Sequence, residues 1–497
     1  MKISRLCPYT LVSCVAAAML AGCNGSSAVP QPRVTAAKPI QHVIIMMQEN
    51  RSFNNIFAGF PGADTALSGP CEPAKWCKTG TITLKPVKLE SKTNELSKGI
   101  DIDHSHQGGG SEPGGFVVEC DLDSATGVCR NDGFDKIRFG AEGSGPLAKT
   151  YPYAYVERSE TKAYWDFAKR YALADHMFFS QTAASFISHQ IILSGTVALN
   201  SHESLTDQPV VTPWGCDGPA GNYTPILEKD GKYIYHGPFP CFTEYGTMAD
   251  LLDPAHVSWK YYVDRELSPT GNTGDFSGDV WNGYDAIAKV RCKTWRPPHG
   301  KRAGDCHGYG PDWGHISYPN SSVFSDVKNG TLPAVSWVIP SLKDSDHPAS
   351  GCSGGPRWVS SVLNAIGQSK YWNSTVVIVL WDDWGGWYDP VPPPQTNYTS
   401  LGFRVGTIVI SPWARPNTVV HTQYEFGSIL KFIEQNFGLG SLHTTDETAT
   451  SIGDMFNFSQ KPTKFVPEEP LPPKATCGNG SGVTAQQIIE NDGGVPE

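Results

Sequence analysis

Five segments of the chain are continuously apolar and rich in β-branched residues: 42–48 (HVIIMMQ), 256–263 (HVSWKYYV), 332–340 (LPAVSWVIP), 375–381 (TVVIVLW) and 404–411 (RVGTIVIS). Strands buried on both faces read as such unbroken runs, so these predict a sheet covered on each side. Between them, 161–174, 185–195, 358–369 and 424–438 carry helical patterning. In the last, Phe426, Ile429, Leu430, Ile433 and Phe437 recur at helical spacing. Strands alternating with helices predict an α/β fold, a mostly parallel sheet with helices on both faces. The stretches 58–150, 196–250 and 264–315 show neither period and are rich in Gly, Pro and Cys, which predicts loop insertions pinned by disulfides. No internal repeat is present, and one core is expected.

The amino terminus adds a destination. Lys2 and Arg5 precede an apolar run from Leu11 to Ala21, which is too short to span a bilayer and suits an export signal. The run ends in Leu20-Ala21-Gly22-Cys23, which resembles a bacterial lipoprotein signal-peptidase site. By that resemblance residues 1–22 are removed, Cys23 is lipidated and the protein is anchored to the cell envelope. Ordinary cleavage after small residues, giving a periplasmic or secreted protein, is the alternative. Residues 23–37 read as a polar tether, 38–460 as the folded body and 461–497 as a Pro-rich tail. Of 13 Cys, setting aside Cys7, Cys14 and Cys23 leaves ten, an even number suited to disulfides in an oxidising compartment. Cys71–Cys77, Cys120–Cys129 and Cys292–Cys306 are plausible local pairs, whereas the other pairings stay open. A zinc cluster lacks its paired CxxC spacing. The net charge of -10 excludes a nucleic-acid partner, which demands basic faces.

Two strand ends are chemically rich. Glu49 and Asn50 follow 42–48, and Asp382 and Asp383 follow 375–381. In parallel sheets ligands bind beyond the carboxyl ends of the strands, so the four residues converge if both strands are central. Three carboxylates and an amide oxygen suit a hard divalent cation, which would neutralise the adjacent acids. Taken singly, each pair reads as a cap on the turn that follows. Ser185 opens an apolar helical run; as an N-cap it would sit where backbone N–H groups favour an anion. His189, four residues on, shares its face. Ser180, Thr182 and Ser188 are rival nucleophiles by composition.

The segments HVIIMMQENRSFNNIFAGFPGAD, SFISHQIILSG, VSWVIPSLKDSDHP, LWDDWGGWYDPVPPP and FRVGTIVISPWARPNTVVHTQYEFGSILKFIEQNFGL occur in that order. Together they resemble the bacterial phosphoesterase family that contains phosphatidylcholine-type phospholipases C and an acid phosphatase. The resemblance makes 38–460 a phosphoesterase domain and implies an alkaline-phosphatase-like fold. It implies one divalent metal ion, of unspecified identity, on Glu49, Asn50, Asp382 and Asp383. Ser185 becomes the nucleophile of a double displacement through phosphoserine. His347, and His104 in DIDHSH, become pocket histidines that contact the phosphoryl group or protonate the leaving oxygen. His189 is expected at the substrate, with His315 in WGHISYP as a further pocket candidate; His421 lies in a matching stretch without an assigned role.

Three positions depart from the family pattern: Asn54 stands for Asp, Ile187-Ser188 for Pro-Asn, and Pro390 for His. These leave the proposed ligands and nucleophile intact, and those at 188 and 390 bear on substrate contacts and specificity. Three carboxylates and one divalent cation sum to -1, so Arg51 or the histidines must offset charge for an anionic ester. Because the chain ends soon after the catalytic body, soluble phosphate monoesters are the expected substrate, with phospholipids as the alternative. A surface-anchored binding lipoprotein that has lost catalysis is a third reading; it predicts metal or phosphate binding without turnover. Trp381, Trp384 and Trp387 are expected to pack around the strand end.

Overall fold

The structure is a computed structural model that describes residues 39–89, 101–108, 113–123, 125–139, 147–265, 277–298, 304–348, 354–395 and 399–469. The export signal, the tether and Cys23 lie outside the described residues. Pro39–Glu497 forms one compact unit.

Its centre is an eight-stranded sheet. The strands are β1 His42–Gln48, β2 Ala172–Ala174, β3 Trp259–Tyr262, β4 Ile316–Ser317, β5 Val335–Val338, β6 Thr375–Trp381, β7 Thr407–Ile410 and β8 Thr418–Val420. Their order is β4-β3-β5-β1-β6-β7-β2-β8. β7 runs antiparallel to both neighbours, and every other pairing is parallel. β1 and β6 lie side by side in register from His42↔Thr375 to Gln48↔Trp381, so their acidic tips leave the sheet together. Every residue of β6 is buried, which requires cover on both faces. Each buried Val, Ile or Leu there contributes roughly 1.5–3 kcal/mol through removal of apolar surface from water.

The expected strands and helices are present, β1 and β6 with the expected bounds and the others with shorter ones. The helices are α1 Phe53–Phe57, α2 Lys162–Arg170, α3 Ser185–Ser194, α4 Gly355–Gly367 and α5 Phe426–Phe437. The pattern over 161–174 merges two elements: the helix stops at Arg170, and Ala172–Ala174 enters the sheet as β2. β2, β4 and β8 span two or three residues, too few to display a period. All ten residues of α3 are buried, so this helix runs through the interior with no solvent-exposed face. It ends at Gly195, whose φ of 65° favours glycine and where a Cβ would lie 2.3 Å from Thr444 Oγ1.

The insertions are pinned as expected by Cys71–Cys77, Cys120–Cys129 and Cys292–Cys306, and additionally by Cys216–Cys241. Cys352 and Cys477 lie outside the described residues. The start of the Pro-rich tail is docked: Phe465 packs edge-on to Trp372 at 5.0 Å, and Glu468 pairs with Lys162 and Arg170.

Candidate active site

The tips of β1 and β6 are tied by their backbones. Asp382 N–H donates to the Gln48 carbonyl at 2.9 Å, and Arg51 N–H to that of Asp383 at 3.1 Å. Between them Asn50 adopts φ 56°, an uncommon conformation for a residue with a Cβ. Its N–H donates to Asp382 Oδ1 at 2.8 Å, which holds the strained residue in place. Gly385 passes so close beneath that a Cβ there would meet the Asn50 carbonyl oxygen at 2.2 Å. This explains one glycine that follows the paired acids: the chain must turn tightly under the first strand's tip.

Glu49, Asp382 and His189 each offer a donor atom within 4.8 Å of the others, and all three are buried. Asp383 makes the contacts towards α3: its Oδ1 accepts from Gly385 N–H at 2.7 Å and its Oδ2 from the Ser185 hydroxyl at 3.2 Å. Ser185 is the first helical residue of α3, and the N-cap is Ala184. This corrects the expectation that Ser185 caps the helix. Its hydroxyl is instead directed at Asp383 and at Asn50 Oδ1, 3.1 Å away.

Asn50 therefore bridges the acids and the hydroxyl, and its amide orientation is informative. His104 Nδ1 faces the Ile102 carbonyl at 2.7 Å, so that nitrogen carries a proton. A neutral His104 then accepts at Nε2 from the Asn50 amide nitrogen, 3.0 Å away. That leaves the amide oxygen among carboxylates, which a cation would stabilise. With the amide rotated, its nitrogen would donate to Glu49 Oε2 at 3.2 Å and Asp382 Oδ1 at 3.3 Å, while its oxygen would accept from His104 and from His347 Nε2 at 3.2 Å. The second arrangement needs His104 doubly protonated and suits acids without a cation. Glu49 and Asp382 offer the carboxylate oxygens that a hard divalent ion takes, and in the first arrangement the Asn50 amide oxygen joins them.

His189 corrects a second expectation. Its Nε2 lies 3.1 Å from Glu49 Oε1, and burial pushes its pKa down to about 4. The ring is neutral near pH 7, so the contact is not an ion pair. Among the described residues its buried Nδ1 has no hydrogen-bond partner. A ring protonated at Nε2 avoids stranding an N–H, donates to Glu49 and orients it. Ser188 donates to the Ser185 carbonyl at 2.7 Å and lies 3.4 Å from Asp382 Oδ2.

The insertion that lacked a period supplies the far wall of the site. His347 Nε2 lies 3.5 Å from Asp101 Oδ2, and His104 Nδ1 lies 3.9 Å from the same oxygen. Sequence reasoning missed Asp101, although its placement three residues before His104 in DIDHSH was a signal. It also missed Asp346, beside His347. Asp346 Oδ2 accepts from Tyr164 and from Trp381 Nε1, at 2.8 and 3.0 Å, and burial raises its pKa to about 6. This anchors the histidine's backbone against the end of β6. Trp381, Trp384 and Trp387 are fully buried, as expected of packing residues.

Arg51 and His315 stand elsewhere than expected, and Asn54 makes contacts of its own. Arg51 is buried and directed away: Nε donates to the Asp346 carbonyl at 2.9 Å, and the other nitrogens to Asn55 and Leu89. His315 stacks on Trp259 at 4.3 Å and contacts its carbonyl through Nδ1 at 2.9 Å. It immediately precedes β4 and therefore lies at the amino edge of the parallel strands, opposite the acids, so it is not a pocket residue. Asn54 binds the Ala66 backbone in both directions, Nδ2 to O at 3.1 Å and N–H to Oδ1 at 2.9 Å. An ionised Asp has no donor for the first of these.

A buried hydroxyl held against a carboxylate, beside an oxygen-rich cation cradle and two oriented histidines, defines a hydrolytic site for anionic esters. The chain belongs to the Phosphoesterase family, whose model matches residues 40–440, and it is a hydrolase acting on phosphoester bonds. It is 25% identical over 467 residues to phospholipase C B of Mycobacterium tuberculosis, covering 86% of this chain and 80% of that protein. Phospholipase C A of the same organism is 25% identical over 86% of this chain and 79% of its own length. Hemolytic phospholipase C of Pseudomonas aeruginosa is 24% identical over 88% and 60%, respectively. Among solved structures, Ps i-CgsB in complex with k-i-k-neocarrahexaose aligns with a TM-score of 0.32 and 11% identity, over 59% of this chain and 69% of its own. A score that low assigns no shared topology.

Proposed function

We propose that the protein is a phospholipase C-type hydrolase that cleaves the glycerol-side phosphoester of a phospholipid with Ser185 as nucleophile. The observation that carries this reading is the Ser185 hydroxyl, freed from helix capping and 3.2 Å from Asp383 Oδ2. The expectation from sequence is a soluble phosphate monoester. Relatives named as phospholipases C, matched over four-fifths of their length in the M. tuberculosis proteins, favour the phospholipid alternative instead. An alkaline-phosphatase-like fold fits the mostly parallel sheet and the position of the site at its carboxyl edge.

In this mechanism Asp383 Oδ2 takes the Ser185 proton as Oγ attacks phosphorus. The bond from phosphorus to the glycerol oxygen breaks, and that oxygen takes a proton from His347, which Asp101 orients. Diacylglycerol leaves, and the headgroup phosphate is held as an ester of Ser185. Water then attacks phosphorus, giving its proton to His347 while Ser185 Oγ recovers the proton on Asp383. Glu49, Asn50 and Asp382 would hold one divalent ion, Asp383 would close that shell, and His189 would orient Glu49. The ion would offset carboxylate charge and polarise the phosphoryl oxygens.

The direct test measures diacylglycerol release from phosphatidylcholine vesicles and hydrolysis of p-nitrophenyl phosphate, both with added divalent ion. The proposal expects kcat/KM to favour the phospholipid by roughly tenfold or more, with both activities lost in Ser185→Ala. A preference for the monoester would restore the acid-phosphatase reading. Export with lipid on Cys23 is proposed alongside, supported by the four disulfides. Cys23→Ser should abolish incorporation of labelled palmitate in cells; unchanged labelling would refute the anchor.

A further inference from the structure

A second cluster of ligand-type side chains lies outside the active site, on the far strands of the same sheet. β2 and β8 are parallel neighbours, and each ends in a metal-binding residue type: Asp175 follows β2, and His421 follows β8. Asp64, from the loop after α1, joins them, and donor atoms of the three lie within 4.8 Å of one another. His421 Nδ1 is 2.9 Å from Asp175 Oδ2 and 3.0 Å from Oδ1. A fourth group lies beside them: His176 Nε2 is 2.9 Å from Asp64 Oδ2, and the two imidazole centres are 6.2 Å apart.

The backbone under this cluster is rigidly held. Arg404 is fully buried and paired with Asp389, with Nε to Oδ1 at 2.7 Å. Its remaining nitrogens donate to the main-chain carbonyls of Asp175 at 2.7 Å and Asp64 at 2.9 Å. One guanidinium thus clamps both acid-bearing segments by their backbones and leaves their carboxylates to face the two imidazoles. Asp64 N–H also donates to Asp175 Oδ2 at 2.9 Å, which fixes the spacing of the two acids. Support of ligands by surrounding hydrogen bonds is what metal sites require. Two carboxylates and two imidazoles form a nitrogen–oxygen set suited to a tetrahedral transition ion such as zinc. The central Asp175 is buried, whereas the side chains of His421, Asp64 and His176 are 57%, 60% and 24% exposed, so an ion has an entry path.

We infer that Asp64, Asp175, His176 and His421 form a surface site for a divalent transition ion, separate from the catalytic cluster. The inference does not depend on the proposed substrate or nucleophile.

The test uses the full folded chain, stripped with chelator and titrated with zinc chloride by calorimetry and by metal analysis after desalting. To exclude the catalytic cluster, the titration is made in a Glu49→Gln/Asp382→Asn background. That background should bind one equivalent of zinc, and adding His421→Ala or Asp64→Asn, both at exposed positions, should remove it. In otherwise wild-type protein the same two substitutions should lower bound zinc by one equivalent, with the far-ultraviolet spectrum unchanged. Equal zinc content with and without these substitutions, or no zinc bound by the background variant, would overturn the site.

Discussion

The sheet delivers chemistry twice at its carboxyl edge, once at its centre and once near its side. At the centre β1, β6 and the start of α3 bring Glu49, Asp382, Asp383 and Ser185 together with no exposure to solvent. At the side β2 and β8 bring Asp175 and His421 together, but Asp64 and His421 stay in water. The topology is the same device, adjacent parallel strands ending in polar residues, and burial makes the difference. Water screens the charges of Asp64 and His421 in the outer cluster, so only the buried Asp175 there relies on its neighbours for charge balance. The inner cluster lies where like charges are expensive, so each carboxylate must be matched by a donor or a cation. Such a site is preorganised, and preorganised charge is what ester chemistry uses.

The comparison breaks most sharply at Ser185. Ser185→Ala should lower the rate of phosphoester hydrolysis on the order of 10³-fold or more with an unchanged circular dichroism spectrum, because it removes the attacking atom. Asp383→Asn should cost about 10²–10⁴-fold, the usual contribution of a positioned base, with most of the loss in kcat. Retained activity in either variant, measured by phosphate or headgroup release, would remove that residue from the mechanism.

Arg404 connects the two regions, since its partner Asp389 also accepts the Asn54 N–H at the start of α1, at 3.1 Å. Arg404→Met should destabilise the fold by about 3–5 kcal/mol, because it strands a buried carboxylate. Urea unfolding reads this directly, and a loss below about 1 kcal/mol would show that the clamp is dispensable.

A smaller effect concerns pH. Burial pushes Asp207 up to about 7, against hydrogen bonds from His106 N–H and the Tyr233 hydroxyl that act the other way. The folded state therefore binds this proton more tightly than the unfolded state. The resulting stability is complete below the ordinary carboxylate range and is lost as pH rises through about 7. Asp207→Asn should flatten that part of the profile, so its urea midpoint should gain on the wild type between pH 4 and 8. An unchanged difference across that range would contradict the assignment. The smallest effect is expected outside the catalytic site: His421→Ala should leave phosphoester hydrolysis within about twofold of the wild type, and a larger loss would mean that the two clusters are not independent.

The contrast also explains what could be read from the chain beforehand. β1 and β6 match their predicted spans residue for residue, because seven-residue buried strands carry an unambiguous pattern. Their acids were visible for the same reason, being placed where a parallel sheet binds ligands. Asp101 was not visible, since it sits in an insertion whose path follows loop packing and disulfides. His189 could be placed on the Ser185 helix, but its support of Glu49 depends on which ring nitrogen finds a partner. The error at His315 is one of direction: the residue precedes its strand instead of following it, and a two-residue strand shows no pattern by which to tell. The outer cluster was hidden because its members lie between positions 64 and 421, and strands as short as β2 and β8 leave little trace in sequence.

The central claim is that Ser185 carries the phosphoryl group during turnover. Rapid acid quenching of enzyme mixed with phosphatidylcholine, followed by mass spectrometry of the peptide containing Ser185, tests it most directly. The account predicts a headgroup–phosphate adduct on Ser185 that forms within one turnover and is absent in Ser185→Ala. Full hydrolytic activity without any adduct, or an adduct on Ser180, Thr182 or Ser188 instead, would contradict it.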